Sequence, residues 1–360
     1  MISIKEAEIA KLFIDLVKID SLSGQEDQVA DFLLEKLEKL GHKCQKDAYG
    51  NLIVHIDGQG ESLFLGAHMD TVAMGVGIKP VILVDLITSN GKTILGADDK
   101  AGITEILIAL EYLKKNNIIH RPLEIVFTKE EETGLFGAKN LDMHLINSKE
   151  GLVLDRSGYA QAVVIAAPFI ASVEIEVFGR SAHTGSAEKG RSAIVAASMA
   201  IGNVKSGRID SETTANFGII SGGEAVNAVA EKVKINAEIR SHSEDKVKKI
   251  IESWEKKFRE IAKKQEVEFI LKHELICFGY KFSKNDPFIL NIIKNWKSLG
   301  KEAVLEKAGG ASDANEFARH GLKIVDIGYG GINPHTKQES IKISDMKLIV
   351  EFLINFVSRK

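Results

Sequence analysis

Short apolar runs that end in acids or histidines, set between helical repeats, constrain this chain more than any other feature. Leu63-Phe64-Leu65 continues through Gly66-Ala67 into His68-Met69-Asp70. Leu123 to Phe127 leads into Thr128-Lys129-Glu130-Glu131-Glu132, and Leu152-Val153-Leu154 ends on Asp155. Near the other end, Lys323 to Ile327 precedes Tyr329-Gly330-Gly331-Ile332-Asn333-Pro334, a glycine-rich loop that delivers His335. Runs this short, with polar or glycine boundaries, read as buried strands. Ala101 to Leu113 (AGITEILIALEYL), Ile4 to Val17 and Val29 to Leu40 instead place apolar groups at three- and four-residue spacing, as amphipathic helices do. Strand and helix alternating in this way make βαβ units and predict a mainly parallel sheet sandwiched by helices. The carboxyl ends of such strands share one edge, where ligands bind.

The texture changes near residue 170. Ala171 to Val177 (ASVEIEV) and Lys232 to Ile239 (KVKINAEI) alternate with a period of two, the pattern of strands with one wet face. Helical stretches lie at Arg191 to Val204 and Glu244 to Lys263. An inserted α+β domain is expected, an antiparallel sheet with two helices, over residues 170–281. The earlier style then returns, with helices near Pro287 to Leu299 and Ser344 to Val357. Residues 1–169 and 282–360 therefore read as one discontinuous α/β catalytic domain.

With 360 residues, two domains are the natural expectation, and 44% hydrophobic against 27% charged residues supports full cores under a polar surface. The net charge of −3 gives no general reason to expect nucleic acid or an anionic membrane as a partner. No continuous apolar segment reaches signal-peptide or membrane-span length. Cys44 and Cys277 are far apart, lack a CxxC pattern and read as small buried hydrophobes. A cytoplasmic setting is expected.

At the end of an extended strand, His68 and Asp70 point the same way, because side chains repeat every two residues. One can hold a metal while the other sits behind it or beside a working glutamate; a core histidine bonded to a carboxylate is the plain alternative. Asp98-Asp99, just before the Ala101 helix, can cap that helix, or a carboxylate there can bridge two cations. Glu130-Glu131-Glu132 would ordinarily be a solvated loop. Following a buried strand, with Gly134 turning the chain, the three are aimed at the crevice. Metal-assisted hydrolysis of an amide needs one carboxylate as ligand and another to move the proton. Asp155 and His335 complete a mixed nitrogen and oxygen set that suits zinc, with cobalt or manganese also admitted by ligand type.

These blocks, with Leu95-Gly96-Ala97-Asp98-Asp99-Lys100-Ala101-Gly102, resemble the cocatalytic dizinc exopeptidase family of peptidase T, bacterial glutamate carboxypeptidase, aminoacylase and succinyl-diaminopimelate desuccinylase. The resemblance spans about residues 5 to 355, keeps the family order and is greatest to the peptidase T branch. It implies two zinc ions per subunit. His68 and Asp155 would complete one site and Glu132 and His335 the other, with Asp98 bridging. Asp70 would orient Glu131, the general base. Gly179-Arg180-Ser181-Ala182-His183-Thr184-Gly185 resembles the family's lid block, in which His183 would polarise the scissile carbonyl. Arg240 and Asn227 match positions that hold substrate, and Gly310, in Gly309-Gly310-Ala311-Ser312-Asp313, matches a turn against it. A homodimer through the inserted domain is implied as well. The leucine and glutamyl aminopeptidases that form tetrahedral particles carry similar signatures, but they place their extra domain between the first histidine and Asp-Asp. Here about thirty residues separate His68 from Asp98, too few for a domain.

Some blocks depart from peptidase T. Asp155 is followed by Arg156-Ser157, the lid block carries Arg180-Ser181-Ala182, and Gly330 to Pro334 replace a tyrosine- and asparagine-rich surrounding. The expected activity is that of a metal-dependent exopeptidase on short peptides, foremost a tripeptide aminopeptidase working with water activated by the metal pair. A deacylase, dipeptidase or carboxypeptidase acting on N-acyl or modified amino acids is the second reading. A non-catalytic binding relative is the third.

Overall fold

The computed structural model describes residues 4–359. The chain forms two compact units. The first runs to Ile165 and takes in Phe282–Ala308 and the chain from Ser312 onward; the second is Ala166–Lys281 together with Gly309–Ala311.

The sheet of the first unit runs in the order Cys44–Lys46, Leu52–Ile56, Leu123–Thr128, Leu63–His68, Glu150–Arg156, Lys323–Gly328 and Ala162–Ala167. Its four central strands, Leu123–Thr128 through Lys323–Gly328, are parallel. The flanking strands pair antiparallel, so the sheet as a whole is mixed around a parallel centre. Leu63–His68 and Leu123–Thr128 are buried at every position. Both faces are covered, which explains why these strands read as apolar runs rather than alternating ones; the one acid inside them, Glu124, is buried and accepts the Asn147 and Ser148 N–H groups.

Register places the chemistry. His68 pairs with Thr128, and Gly66 with Val153, which puts Asp155 level with His68 two residues further on. The helix Ala97–Lys115 packs against the helices Glu6–Val17 and Ile343–Val357. Trp296, on the helix Pro287–Ser298, stacks on Phe352 at 4.2 Å between ring centroids. That helix begins where the sequence placed it: Pro287 opens the first turn and Asp286 accepts the Phe288 N–H as its cap.

A small antiparallel sheet, Gly331–Ile332, Ser340–Lys342, Leu86–Ser89 and Pro80–Leu83, is an addition that the sequence reading did not foresee. His335 lies in the connection between its first two strands.

The second unit holds a five-stranded antiparallel sheet in the order Gly207–Asp210, Thr213–Gly222, Lys232–Ser241, Phe169–Phe178 and Glu268–Cys277. Val233, Ile235, Ala237 and Ile239 are buried while their neighbours are not, the expected period of two. Ala193–Gly202 and Glu244–Gln265 supply the helical side of the core, with Trp254 stacked on Phe217 at 4.2 Å. Among the described residues no helix is long and apolar enough to cross a membrane.

Candidate metal centre

Six of the side chains singled out from the sequence converge in the first unit. His68, buried at the end of its strand, lies with Nε2 3.2 Å from Asp98 Oδ1 and 3.7 Å from Asp155 Oδ1. His335, half exposed on its loop, lies with Nε2 3.1 Å from Asp98 Oδ2 and 2.7 Å from Glu132 Oε1. Asp98 thus turns one carboxylate oxygen to each histidine. Glu131 enters as well. His68, Glu131 and Asp155 each offer a donor atom within 4.8 Å of the others, as do His68, Asp98 and Glu132. The groups overlap at His68 rather than separating into two triads, and Glu132 is within reach of both histidines.

Asp70 stands behind these residues, fully buried. Its Oδ1 accepts the Glu131 N–H at 3.0 Å, and its Oδ2 accepts the Glu132 N–H at 3.2 Å and the Ser23 hydroxyl at 2.6 Å. Asp70 therefore fixes the glutamates by their main chain. The adjacent aspartates divide the two readings between them. Asp98 faces the histidines. Asp99 accepts the Gly102 N–H at 3.2 Å, as a helix cap does, and also the His68 N–H at 3.2 Å. Both keep non-helical backbone, so the regular turns begin beyond Asp99. The peptide between them is cis.

Three residues of this centre escaped sequence reasoning. Ser23 secures Asp70. Asp313 is buried beside the strand end and accepts the Thr128 hydroxyl. Glu339 accepts amide N–H groups from the Asp98 loop. Only Asp313 had a signal, its place in the Gly309-Gly310-Ala311-Ser312 turn.

The remaining four candidates lie in the second unit. His183 is exposed and accepts the Gly185 N–H on Nδ1 at 3.1 Å. The exposed Asn227 lies on the adjoining segment, where its carbonyl accepts the Thr184 N–H at 3.1 Å. Arg240 is engaged by the Glu238 carboxylate through both Nε and Nη2, and its Nη1 donates to the Gly309 carbonyl at 3.1 Å. Gly310 has open space where a side chain would stand, and its turn groups with the second unit although the sequence boundary assigned it to the first.

Comparison with known proteins follows the same division. Residues 51–159 match the model described as peptidase family M28, and residues 166–266 match the one described as a peptidase dimerisation domain. A Bacillus subtilis relative, Uncharacterized protein YqjE, is 36% identical over 98% of both chains. Peptidase T of an Exiguobacterium species is 28% identical over 76% of this chain and 68% of its own. The crystal structure of aminopeptidase PepT from Bacillus cereus superposes with a TM-score of 0.94 at 36% identity, covering 98% of each chain. A tripeptidase structure from Staphylococcus aureus gives 0.94 at 32%, again covering 98% of each. The chain belongs to the peptidase T metallopeptidase family.

The charge in this peptidase's centre is strongly unbalanced. Burial and the neighbouring Asp155 charge push the Glu131 carboxyl far above its ordinary pKa. Burial and the Asp98 charge do the same to Asp155. Burial disfavours the His68 imidazolium, yet Asp155, Asp70 and Asp98 together hold its pKa well above the usual histidine range. The adjoining Asp98 and Glu132 carboxylates push His335 up to about 10. A buried cluster with this excess of carboxylate calls for compensating cations.

Geometry tests the fit. Ligand atoms about 2.0–2.1 Å from a tetrahedral zinc are separated from one another by about 3.3 Å. The 3.1 and 3.2 Å separations around Asp98 are close to that edge length, and 3.7 Å is slightly wider. Glu132 Oε1 is buried and has no hydrogen-bond partner, although it lies 2.7 Å from His335 Nε2. That contact lacks hydrogen-bond direction and is shorter than the tetrahedral edge, so the two atoms would move apart by about 0.6 Å to hold a zinc ion between them. The donor set fits a pair of metal ions.

Proposed function

We propose that this metallopeptidase is an aminopeptidase of short peptides, with tripeptides its leading substrates, and that it works with two zinc ions. One observation carries the reading: Asp98 presents one oxygen to each of two histidines, with Glu131 beside them. The Staphylococcus aureus relative's description as a tripeptidase favours the substrate class.

His68 and Asp155 hold one ion, Glu132 and His335 the other, and Asp98 is shared. Such ions supply Lewis acidity and bring the pKa of a water toward neutrality. Glu131 takes the proton of the attacking water and passes it to the departing amine nitrogen. Asp70, holding the main chain of Glu131 and Glu132, keeps base and ligand apart in role. His183 accepts a backbone N–H on Nδ1, so its neutral ring carries the proton on Nε2 and donates it toward the substrate carbonyl. Arg240 binds a substrate carboxylate once released from Glu238, and Asn227 and Gly310 line the substrate. The second unit mediates a homodimer, in keeping with the dimerisation model that it matches. A cytoplasmic site of action suits a chain in which neither cysteine forms a disulfide.

The test joins metal analysis with a substrate panel. The wild type should bind two ions and cleave tripeptides in preference to dipeptides, N-acetyl and N-succinyl amino acids. Glu131→Ala should abolish turnover with both ions retained. Loss of the ions from that variant would make Glu131 a ligand. Preference for the N-acyl substrates would replace the aminopeptidase reading with a deacylase.

A further inference from the structure

Glu339 lies four residues beyond His335, and nothing in its sequence setting marks it. Its side chain is fully buried. Oε2 accepts the Leu95 N–H at 2.7 Å and the Gly96 N–H at 2.8 Å, and Oε1 accepts the Asp98 N–H at 3.1 Å. Three amides of one short segment thus converge on a single carboxylate, a concave backbone anion site. Gly96 makes the convergence possible. Its φ of +72° is in the left-handed region, and a Cβ there would come within 3.1 Å of Ile78 Cδ1.

Glu339 is also tied to the segment that delivers His335. Its own N–H donates to the Thr336 carbonyl at 3.1 Å, and His335 has a φ of +61°. Two loops that carry candidate ligands, separated by more than two hundred residues of sequence, are therefore joined through this one carboxylate. Their ligand atoms, Asp98 Oδ2 and His335 Nε2, lie 3.1 Å apart.

We infer that Glu339 is a positioning residue that fixes the shared carboxylate of Asp98 against His335 and thereby sets the affinity of the Glu132–His335 metal site. The inference rests on the reading of Asp98 as the shared ligand. Glu339 touches neither ion nor substrate; it acts through the main chain of Asp98. Partners of metal ligands of this kind alter metal affinity by about 10- to 100-fold when removed.

Glu339→Gln separates this role from general support. The amide keeps one acceptor oxygen. Placed at Oε2, that oxygen retains the Leu95 and Gly96 bonds, while the new NH2 group confronts the Asp98 N–H, donor against donor. The full-length protein, stripped by chelator, is titrated with zinc in competition with a fluorescent chelator. Glu339→Gln should hold the first ion within about twofold of wild type and the second about 10- to 100-fold more weakly. Excess zinc should restore kcat with KM unchanged. Wild-type affinity for both ions overturns the inference, and so does an equal weakening of both together with a lowered Tm, which would be the mark of a merely structural role. If Glu339→Gln does not fold, Gly96→Ala disturbs the same amides with Glu339 in place. Selective weakening of the second ion then supports the inference, and any other result overturns it. A wild-type chain that binds fewer than two ions removes the metal-pair reading itself, and this is seen before any variant is made.

Discussion

Asp70→Asn tests how the base is held. In the folded chain Asp70 Oδ1 accepts the Glu131 N–H at 3.0 Å and lies 3.3 Å from His68 Nδ1, and Oδ2 accepts the Glu132 N–H and the Ser23 hydroxyl at 3.2 and 2.6 Å. Asparagine has the same shape and one acceptor oxygen. If that oxygen stays with Glu132 and Ser23, the NH2 group meets the Glu131 N–H, and the bond that orients the base is lost. A hydrogen bond to a charged group contributes about 1.5–3 kcal/mol. At about 1.4 kcal/mol per factor of ten, its loss from the transition state lowers kcat by roughly 10- to 150-fold. Ser23→Ala removes a partner that does not contact Glu131, so its effect on kcat should be several-fold smaller. The assay is steady-state cleavage of a tripeptide at saturating zinc, with bound metal and circular dichroism measured on the same samples. KM should stay within about threefold, with two ions retained. If Asp70→Asn keeps kcat within twofold of wild type, the orienting role is wrong. If it loses an ion, the main role of Asp70 is to hold His68, whose Nδ1 faces its Oδ1, rather than to orient Glu131.

Two further perturbations address the fold. Trp254→Ala deletes a side chain that is 1% exposed and stacked on Phe217, and should destabilise the second unit by about 3–5 kcal/mol, read from its urea unfolding transition. Glu105→Leu removes a buried carboxyl whose two oxygens have no hydrogen-bond partner and whose pKa is raised well above normal by burial and the Asp99 charge. A raised carboxyl pKa favours the folded state below the unfolded value near 4 and loses that contribution as pH rises through the folded value. The leucine variant should therefore gain by about 1–3 kcal/mol at neutral pH, with the advantage shrinking toward pH 4 in thermal melts. A constant difference across that range would locate its origin in packing instead.

What the sequence made legible follows from burial. A strand covered on both faces is apolar except where a buried acid is hydrogen-bonded, as Glu124 and Asp326 are, so a polar cluster after the run marks where the chain leaves the sheet. His68 and Asp155 could be found in that way, and the register that sets them level is the ordinary consequence of parallel pairing. Alternation exposed Phe169–Phe178 and Lys232–Ser241, two of the three inner strands of the second unit. It failed for Glu268–Cys277, an edge strand whose Phe269, Leu271 and Leu275 pack on the core while Ile270 and Ile276 are exposed on the other face, so apolar residues on both faces blur the period in the sequence. It failed too for Pro80–Leu83, whose apolar residues are exposed.

The supporting polar contacts were hidden for a different reason. Asp70 could be anticipated as a residue behind the ligands because it lies two positions from His68. Its actual partners are amides sixty-one and sixty-two positions away, and no side-chain pattern announces a main-chain donor. Glu339 is the extreme case: its acceptor oxygens meet amides more than two hundred and forty positions distant. Ligand chemistry selects residue types, and those are visible in a string of letters. Orientation is set by whichever carboxylate happens to reach a backbone N–H after folding, and any buried acid can do that. The centre is thus half chemistry, readable from one chain, and half main-chain geometry, which exists only once the loops meet.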